Sequence, residues 1–260
     1  MLPRTLPTLL LASLATLALA PTGLAPARAA GPDCADPQPG RYVVMGQGEA
    51  MGEPVARLLQ ETWTADGRIQ GVRLERRGRS YAESTYTGSF QPRSECRVAI
   101  ERSYGSSISR SQAVLDPSGH PRYSLPTVAE VVLASSWIRQ PEGKVCNAGL
   151  LDGTVVSMQQ GLSRRDGRWR PNAVVQHEQW RQGKVTGIAL SSYGATIEEA
   201  LYDGNISVSP DCLATVKQKD TLNRSFNYRA IVLADGSGYL YLQTDPDDLT
   251  IGRLDRISTP

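Results

Sequence analysis

Four cysteines, two histidines, an acidic run, a basic run and a glycine run are the residues whose types and spacing could do chemistry. Cys34, Cys96, Cys146 and Cys212 could pair as disulfides or hold zinc. A zinc site usually takes close ligand pairs, and none of the four has a CxxC partner, so disulfides are the expected use. His120 and His177 are the only histidines. A catalytic histidine needs a nucleophile and an orienting carboxylate in fixed relation, and no motif supplies them. Gly46-x-Gly48-x-x-x-Gly52 follows an apolar strand, but the βαβ continuation of a dinucleotide site is missing, and turn glycines are the expected reading. Asp245-Pro-Asp-Asp248 lacks the glycine and the distant glutamate of an EF-hand loop and reads as an exposed acidic turn. Arg164 to Arg170 reads as a basic, aromatic solvated loop. No catalytic, cofactor-binding or metal-binding residue is assigned.

The N-terminus gives the compartment. Met1 to Ala29 has the pattern of a cleaved secretory signal: Arg4, an apolar core from Leu9 to Ala20, and the small-x-small site Ala27-Arg28-Ala29. The apolar run is shorter than the roughly 20 residues a spanning helix needs, and no later stretch is apolar enough to span. Without the signal the chain loses Arg4 and Arg28 and no acid. Its 28 basic side chains become 26 and balance the 26 acids. A neutral chain lacks the electrostatic footprint of a nucleic-acid or membrane-surface binder. The expected location is secreted or periplasmic, with no transmembrane segment after cleavage.

The elements that must position these residues come as a duplication. Gly67 to Cys96 aligns without a gap to Gly183 to Cys212, matching Gly71, Tyr86, Gly88 and Cys96 to Gly187, Tyr202, Gly204 and Cys212. The copy extends upstream: Gly40 to Gly48 matches Gly153 to Gly161, and Pro54 to Trp63 matches Pro171 to Trp180. Trp63, Gly71, Tyr86 and Gly88, with Trp180, Gly187, Tyr202 and Gly204, form the repeated framework. Most polar residues do not persist at matched positions; among the acids, Glu61 with Glu178 and Glu83 with Glu199 are the exceptions.

Short runs of Val, Ile, Tyr, Thr and Leu broken by Asp-Gly, Ser-Gly and Pro predict an antiparallel β protein. Pro54 to Trp63 is read as strand, since its copy holds Val174-Val175 behind Pro-Asn. Trp63 to Gly67 and Trp180 to Gly183 are hairpin turns, and Gly78 and Gly194 mark the next turn. Alternation along Ile69 to Leu74 puts Val72 and Leu74 on one face, read as the core face, and Arg73, Glu75 and Arg77 on the other. A glycine at Gly88 and at Gly204, inside a strand in both copies, marks a bulge, a sharp bend or a close backbone approach. The expected fold is all-β: two tandem antiparallel meander or small-barrel units related by internal duplication. Their bounds are 34–139 and 146–258, with a linker at 140–145 after the signal at 1–29.

Gly40-Arg-Tyr42, Trp63 to Gly71, Tyr86 to Phe90 and Glu95-Cys96 follow the order of a widespread bacterial secreted domain: Gly-x-Tyr, Asp-Gly, Tyr-x-Gly, Asp-Cys. The second copy departs where Val155 replaces the tyrosine. The chain resembles that group nearly throughout, twice. The resemblance implies a small closed barrel of the lipocalin or allene-oxide-cyclase-like kind, with no general activity and no site residue to carry over.

The expected function is an exported, non-enzymatic binding or structural protein of the bacterial envelope or exterior, whose partner is an envelope component or a small apolar ligand. The alternatives are a carrier of a small apolar ligand inside a barrel, and a cyclase or isomerase using a barrel pocket. Cys34 and Cys146 each precede the first strand of a copy, and Cys96 and Cys212 share a later position. The simplest connectivity is Cys34–Cys96 and Cys146–Cys212. Each closes a loop worth about 4 kcal/mol in the chain-entropy model. Non-reducing peptide mapping should recover those two cross-linked pairs; a Cys34–Cys146 peptide would reject them.

Overall fold

Period two sends successive side chains of a strand to opposite faces, and a tight glycine turn reverses the chain after each run. The computed structural model describes residues 33–193 and 196–259. The signal expected over Met1–Ala29 and the turn glycine Gly194 lie outside the described residues. The first half folds as β1 (Gly40–Ala50), β2 (Glu53–Trp63), β3 (Arg68–Arg77), β4 (Ser80–Arg93), β5 (Arg97–Tyr104), β6 (Ser107–Leu115), β7 (Pro121–Pro126) and β8 (Val131–Gln140). One turn of 3-10 helix, Ala148–Leu151, precedes the second half. There follow β9 (Gly153–Arg165), β10 (Arg168–Arg181), β11 (Lys184–Tyr193), β12 (Thr196–Val208), β13 (Leu213–Asp220), β14 (Ser225–Val232), β15 (Gly238–Gln243) and β16 (Asp248–Ser258).

Each strand pairs antiparallel with its neighbours in chain order. β8 then closes on β1, and β16 on β9. The chain is all-β, two closed eight-stranded barrels in tandem, and closure removes sheet edges. No helix among the described residues is long and apolar enough to cross a membrane. The cysteines pair as Cys34–Cys96 and Cys146–Cys212, with Cα atoms 5.4 and 4.9 Å apart. Each bond ties the segment ahead of a barrel to the turn between its fourth and fifth strands.

The repeated strand glycines permit close approach. A Cβ on Gly88 would stand 2.2 Å from the Glu101 carbonyl oxygen, and one on Gly204 2.3 Å from that of Lys217. The basic Arg164–Arg170 stretch is not a loop. β9 and β10 continue through it, leaving only Asp166 and Gly167 as the turn.

The expected inside and outside of β3 are exchanged. Val72 and Leu74 do not line the barrel. They face outward and bury against the second barrel, in a cluster that joins Leu58 and Leu74 to Ile231, Leu240 and Leu242. The inward face takes Ile69 at one end of the first barrel. At the other end Glu75 pairs with Arg57 and, at 3.7 Å, with Arg73. An alternating strand shows two faces, and here both are buried, one in each of two different cores.

Polar groups pin the same contact. Arg229 of β14 grips Glu83 of β4 in a fork, with Nε at 2.9 Å and Nη2 at 2.8 Å. Buried Arg76 donates to the Pro246 carbonyl at 2.9 Å across the contact and to Arg79 at 2.8 Å within its own barrel. Burial holds its guanidinium below the usual range, against the pull of Asp245, Asp248 and Asp247. Breaking a contact of this kind strands a buried arginine and wets several apolar side chains, so the barrels should unfold together. Calorimetry should show one transition with matching van't Hoff and calorimetric enthalpies. Leu74→Ala should lower the stability of the whole by about 2–5 kcal/mol. Two resolved transitions, only one of them moved by Leu74→Ala, would show independent barrels.

Candidate functional site

Alternation puts Glu61 on the same face of β2 as Trp63, and that face lines the first barrel. Glu178 and Trp180 repeat the arrangement on β10. Both carboxylates are fully buried. A carboxylate removed from water needs hydrogen-bond donors in place of solvent. Glu61 Oε2 accepts from the Trp63 indole at 2.9 Å, and its Oε1 accepts from the Tyr86 hydroxyl and from Arg102 Nε, each at 2.5 Å. Glu178 Oε2 accepts from the Trp180 indole at 2.7 Å and the Tyr239 hydroxyl at 3.0 Å. Its Oε1 accepts from the Tyr202 hydroxyl at 2.9 Å and Gln218 Nε2 at 3.1 Å.

The framework glycines belong to these clusters. A Cβ on Gly71 would lie 2.5 Å from Tyr86 Cζ, and one on Gly187 2.6 Å from Tyr202 Cζ. Each tyrosine ring therefore lies across a glycine, and its hydroxyl reaches the carboxylate because no side chain stands beneath it. Burial first, then the nearby carboxylate, pushes both tyrosine hydroxyls far above their ordinary range. They stay protonated and donate. Trp63, Gly71 and Tyr86 with Glu61 are thus one structural unit, as are Trp180, Gly187 and Tyr202 with Glu178.

The copies differ in charge. Arg102 and Gln218 stand at the same distance beyond Gly88 and Gly204. Burial pulls the Arg102 guanidinium down, and Glu61 and Tyr86 more than offset it, so it remains a cation. The first cluster is a buried ion pair. The second has only neutral donors, and burial raises the Glu178 carboxyl above its ordinary value against their pull. Sequence comparison missed Arg102 and Gln218 because the residue types differ. Their common offset from the repeated glycine was the available signal.

The remaining chemical candidates are not brought together into one site. His120 Nδ1 lies 3.1 Å from the Tyr42 hydroxyl, and its Nε2 faces Arg139 Nη1 at 3.2 Å. Tyr42 donates to the Gln38 carbonyl at 2.8 Å, which leaves its oxygen to accept from a proton on His120 Nδ1. Burial pushes the Tyr42 hydroxyl up to about 12. His177 is exposed on the outer side of β10. Gly46 and Gly48 are not turn glycines but lie inside β1: a Cβ on Gly46 would meet Ser135 Oγ at 2.3 Å, and one on Gly48 the Val132 carbonyl oxygen at 1.9 Å. Asp245 accepts from the Asn227 amide groups at 2.8 Å, and Asp247 meets Arg79 at 3.1 Å. Among the described residues no cluster of His, Cys, Asp or Glu has the makings of a metal site. Glu83 and Glu199 part company: Glu83 is held by Arg229, while Glu199 is exposed on β12.

The interiors are small. The cavity of the first barrel is about 20 Å³ and that of the second about 50 Å³. The linings differ in bulk: Arg57 and Tyr104 in the first stand at the positions of Val174 and Asp220 in the second. A ligand chamber usually spans about 300–1,000 Å³, so the alternative of an apolar carrier inside a barrel draws no support from these interiors. The larger interior is also polar, with Gln159, Asn172, Gln176 and Gln243 in its wall. The large concavity lies outside. A groove of about 1010 Å³ runs along the first barrel where the second abuts it. Met45, Tyr123, Leu125, Met158 and Ile251 line it, with Arg97 and Arg253 beside them.

No family model matches the chain, and no curated protein matches it. Among solved structures it is similar to a protein of unknown function of the DUF3598 family from Nostoc punctiforme, at 11% identity over 85% of this chain and 96% of that one. The TM-score is 0.28, too low to carry an argument about fold or function.

The two clusters should respond differently to loss of the acid. Glu61→Gln strands buried Arg102 and should cost about 3–5 kcal/mol in urea unfolding. Glu178→Gln strands no charge and should cost about 1–3 kcal/mol. A raised folded pKa means that the stability Glu178 contributes is fully present below its unfolded value and is lost as pH rises through its folded value. The gap between wild type and Glu178→Gln should therefore be widest in acid and narrow as pH rises above the ordinary glutamate range. Equal costs for the two variants, or a gap that widens with pH, would contradict this reading of the clusters.

Proposed function

We propose that the protein is a non-enzymatic binding protein that works through the outer walls of its barrels. The observation that carries this is the contrast between inside and outside. A general acid or base must reach a proton on its substrate, and the two repeated interior carboxylates reach only their own donors. Apolar side chains that serve no barrel core instead crowd the outside, and contiguous exposed apolar surface marks an interaction site. Export belongs to the proposal. Two disulfides suit an oxidising compartment, and the N-terminal sequence has the pattern of a cleaved signal. The closed eight-stranded meander agrees with the lipocalin-like resemblance of the sequence, without lending it an activity.

A second reading has its own support: an apolar anion held in the outer groove, whose wall is apolar and whose rim carries Arg97 and Arg253. Anilinonaphthalene sulfonate, an apolar anion, tests the main reading with purified protein. Saturable fluorescence should disappear in the double variant Tyr123→Glu, Leu125→Glu and persist in Gln159→Leu, which alters only an interior. Dye binding that ignores the outer change and follows the interior one would overturn the proposal. So would a hydrolytic or isomerase turnover that Glu178→Gln abolishes while the fold survives.

A further inference from the structure

The contact between the two barrels joins unlike faces of what are otherwise copies. The first barrel offers the outer side of β2 to β4, with Leu58, Leu74, Tyr81 and Glu83. The second offers the outer side of β14 to β16, with Arg229, Ile231, Leu240 and Leu242. Duplication gives each face a twin on the other barrel. In the aligned sequence Leu58, Leu74, Tyr81 and Glu83 fall on Val175, Leu190, Ile197 and Glu199 of the second barrel. Strand register supplies the other twin. Arg97 pairs with Val114 as the matched Leu213 pairs with Ile231. Val114 then pairs with Tyr123 as Ile231 pairs with Leu240, and Gln112 with Leu125 as Arg229 with Leu242. The twin face on the first barrel is therefore Gln112, Val114, Tyr123 and Leu125.

The twins kept their apolar character and lack a cover. Leu58, Leu74, Ile231, Leu240 and Leu242 are at most 1% exposed, whereas Val175, Leu190, Ile197, Val114, Tyr123 and Leu125 are 44% to 82% exposed. The solvent side of a barrel wall is expected to be polar, and patches of this kind mark interfaces. The chain itself displays what covers the first kind of face, namely the second kind.

We infer that these faces bind a second copy of this chain, the β10 to β12 wall of one molecule seating on the β6 to β8 wall of the next, as the first barrel's β2 to β4 wall seats on β14 to β16. The inference deepens the proposal of outer-wall binding and rests on it. The joined faces differ, so the contact is heterologous and propagates head to tail, into a closed ring or an open filament. It explains why Glu199 persists opposite Glu83 in the repeat. In the repeated contact Glu199 meets Gln112, where Glu83 meets Arg229. One amide in place of a guanidinium fork makes a weaker contact. The covalent tandem also raises the effective concentration of the internal pair, which the intermolecular pair lacks, so association depends on concentration.

Sedimentation velocity on the full purified chain, over about two orders of magnitude in concentration, tests this. Wild type should form dimers and larger species as concentration rises. Tyr123→Glu with Leu125→Glu disables one face, Leu190→Glu with Ile197→Glu the other, and each double variant should remain monomeric alone. Mixed in equal amounts they should form dimers and nothing larger, since one competent junction survives. Gln112→Arg, which restores the guanidinium opposite Glu199, should shift association to lower concentration. All five positions are on the surface, and unchanged circular dichroism confirms the fold. A monomeric wild type, a mixture that stays monomeric, or double variants that associate like wild type would each overturn the inference. If wild type is monomeric while dye binding still follows Tyr123 and Leu125, the partner is wrong and the outer-wall reading stands. If dye binding fails as well, both fall.

Discussion

A carboxylate can sit inside a closed apolar wall only if donors replace the water it has lost. Each barrel meets that requirement with an indole two residues along the same strand, a tyrosine hydroxyl lying over a glycine, and a donor from the fifth strand of the barrel. These partners come from three strands or more, so the carboxylate joins the wall across its width. Gly71 and Gly187 leave the space the tyrosine crosses, and Gly88 and Gly204 let the next strand close in behind it. Removing the acid, the tyrosine or the glycine disturbs the same few ångströms of structure. The cluster is therefore a condition for closure, and closure leaves cavities too small for anything but a few water-sized groups.

With the interiors filled, the outer walls are where the copies diverge in use. The first barrel spends one wall on its partner barrel, through Leu58, Leu74, Arg76 and Glu83. The matching wall of the second barrel keeps Val175, Leu190, Ile197 and Glu199 but has Ser192 where Arg76 stands. Arg76 draws its partners across the contact from the Thr244 and Pro246 carbonyls at the acidic Asp245–Asp248 turn, and the first barrel has no such turn to receive a counterpart. The lost arginine and the retained leucine and glutamate thus have one physical origin: the apolar and carboxylate parts of the face remain useful without the acidic turn, and the buried guanidinium does not.

Much of this fold was legible because duplication shows each geometric demand twice. A glycine inside a strand, seen once, is ambiguous; Gly71 with Gly187 and Gly88 with Gly204 are a requirement. The strands, their order and the cysteine positions followed from alternation and turn chemistry. The interior cluster was half legible. Glu61 and Glu178 stood out as repeated polar residues, but an acid two places before a tryptophan has no pattern that says it points inward. The assignment of Val72 and Leu74 to the barrel core failed because alternation separates two faces without saying which is inside. A second apolar layer between barrels makes the outer face read like a core, and the charged end of the first barrel makes the inner face read like a surface. Arg229 and its grip on Glu83 were invisible, since they connect positions 146 residues apart in different copies.

The central claim is that both interiors are sealed around carboxylates that serve the wall, and the indole protons of Trp63 and Trp180 report on it directly. Each is bonded to the acid at the middle of its barrel. Hydrogen exchange of these two protons, followed by NMR with tryptophan-to-phenylalanine variants for assignment, measures how often each interior opens. If the interiors are sealed, both exchange only through global unfolding, with the free energy of denaturation and the same denaturant dependence. Exchange of either indole through a low-energy opening that leaves the rest of the barrel protected would contradict the account, because an interior that opens separately is one that can receive a substrate.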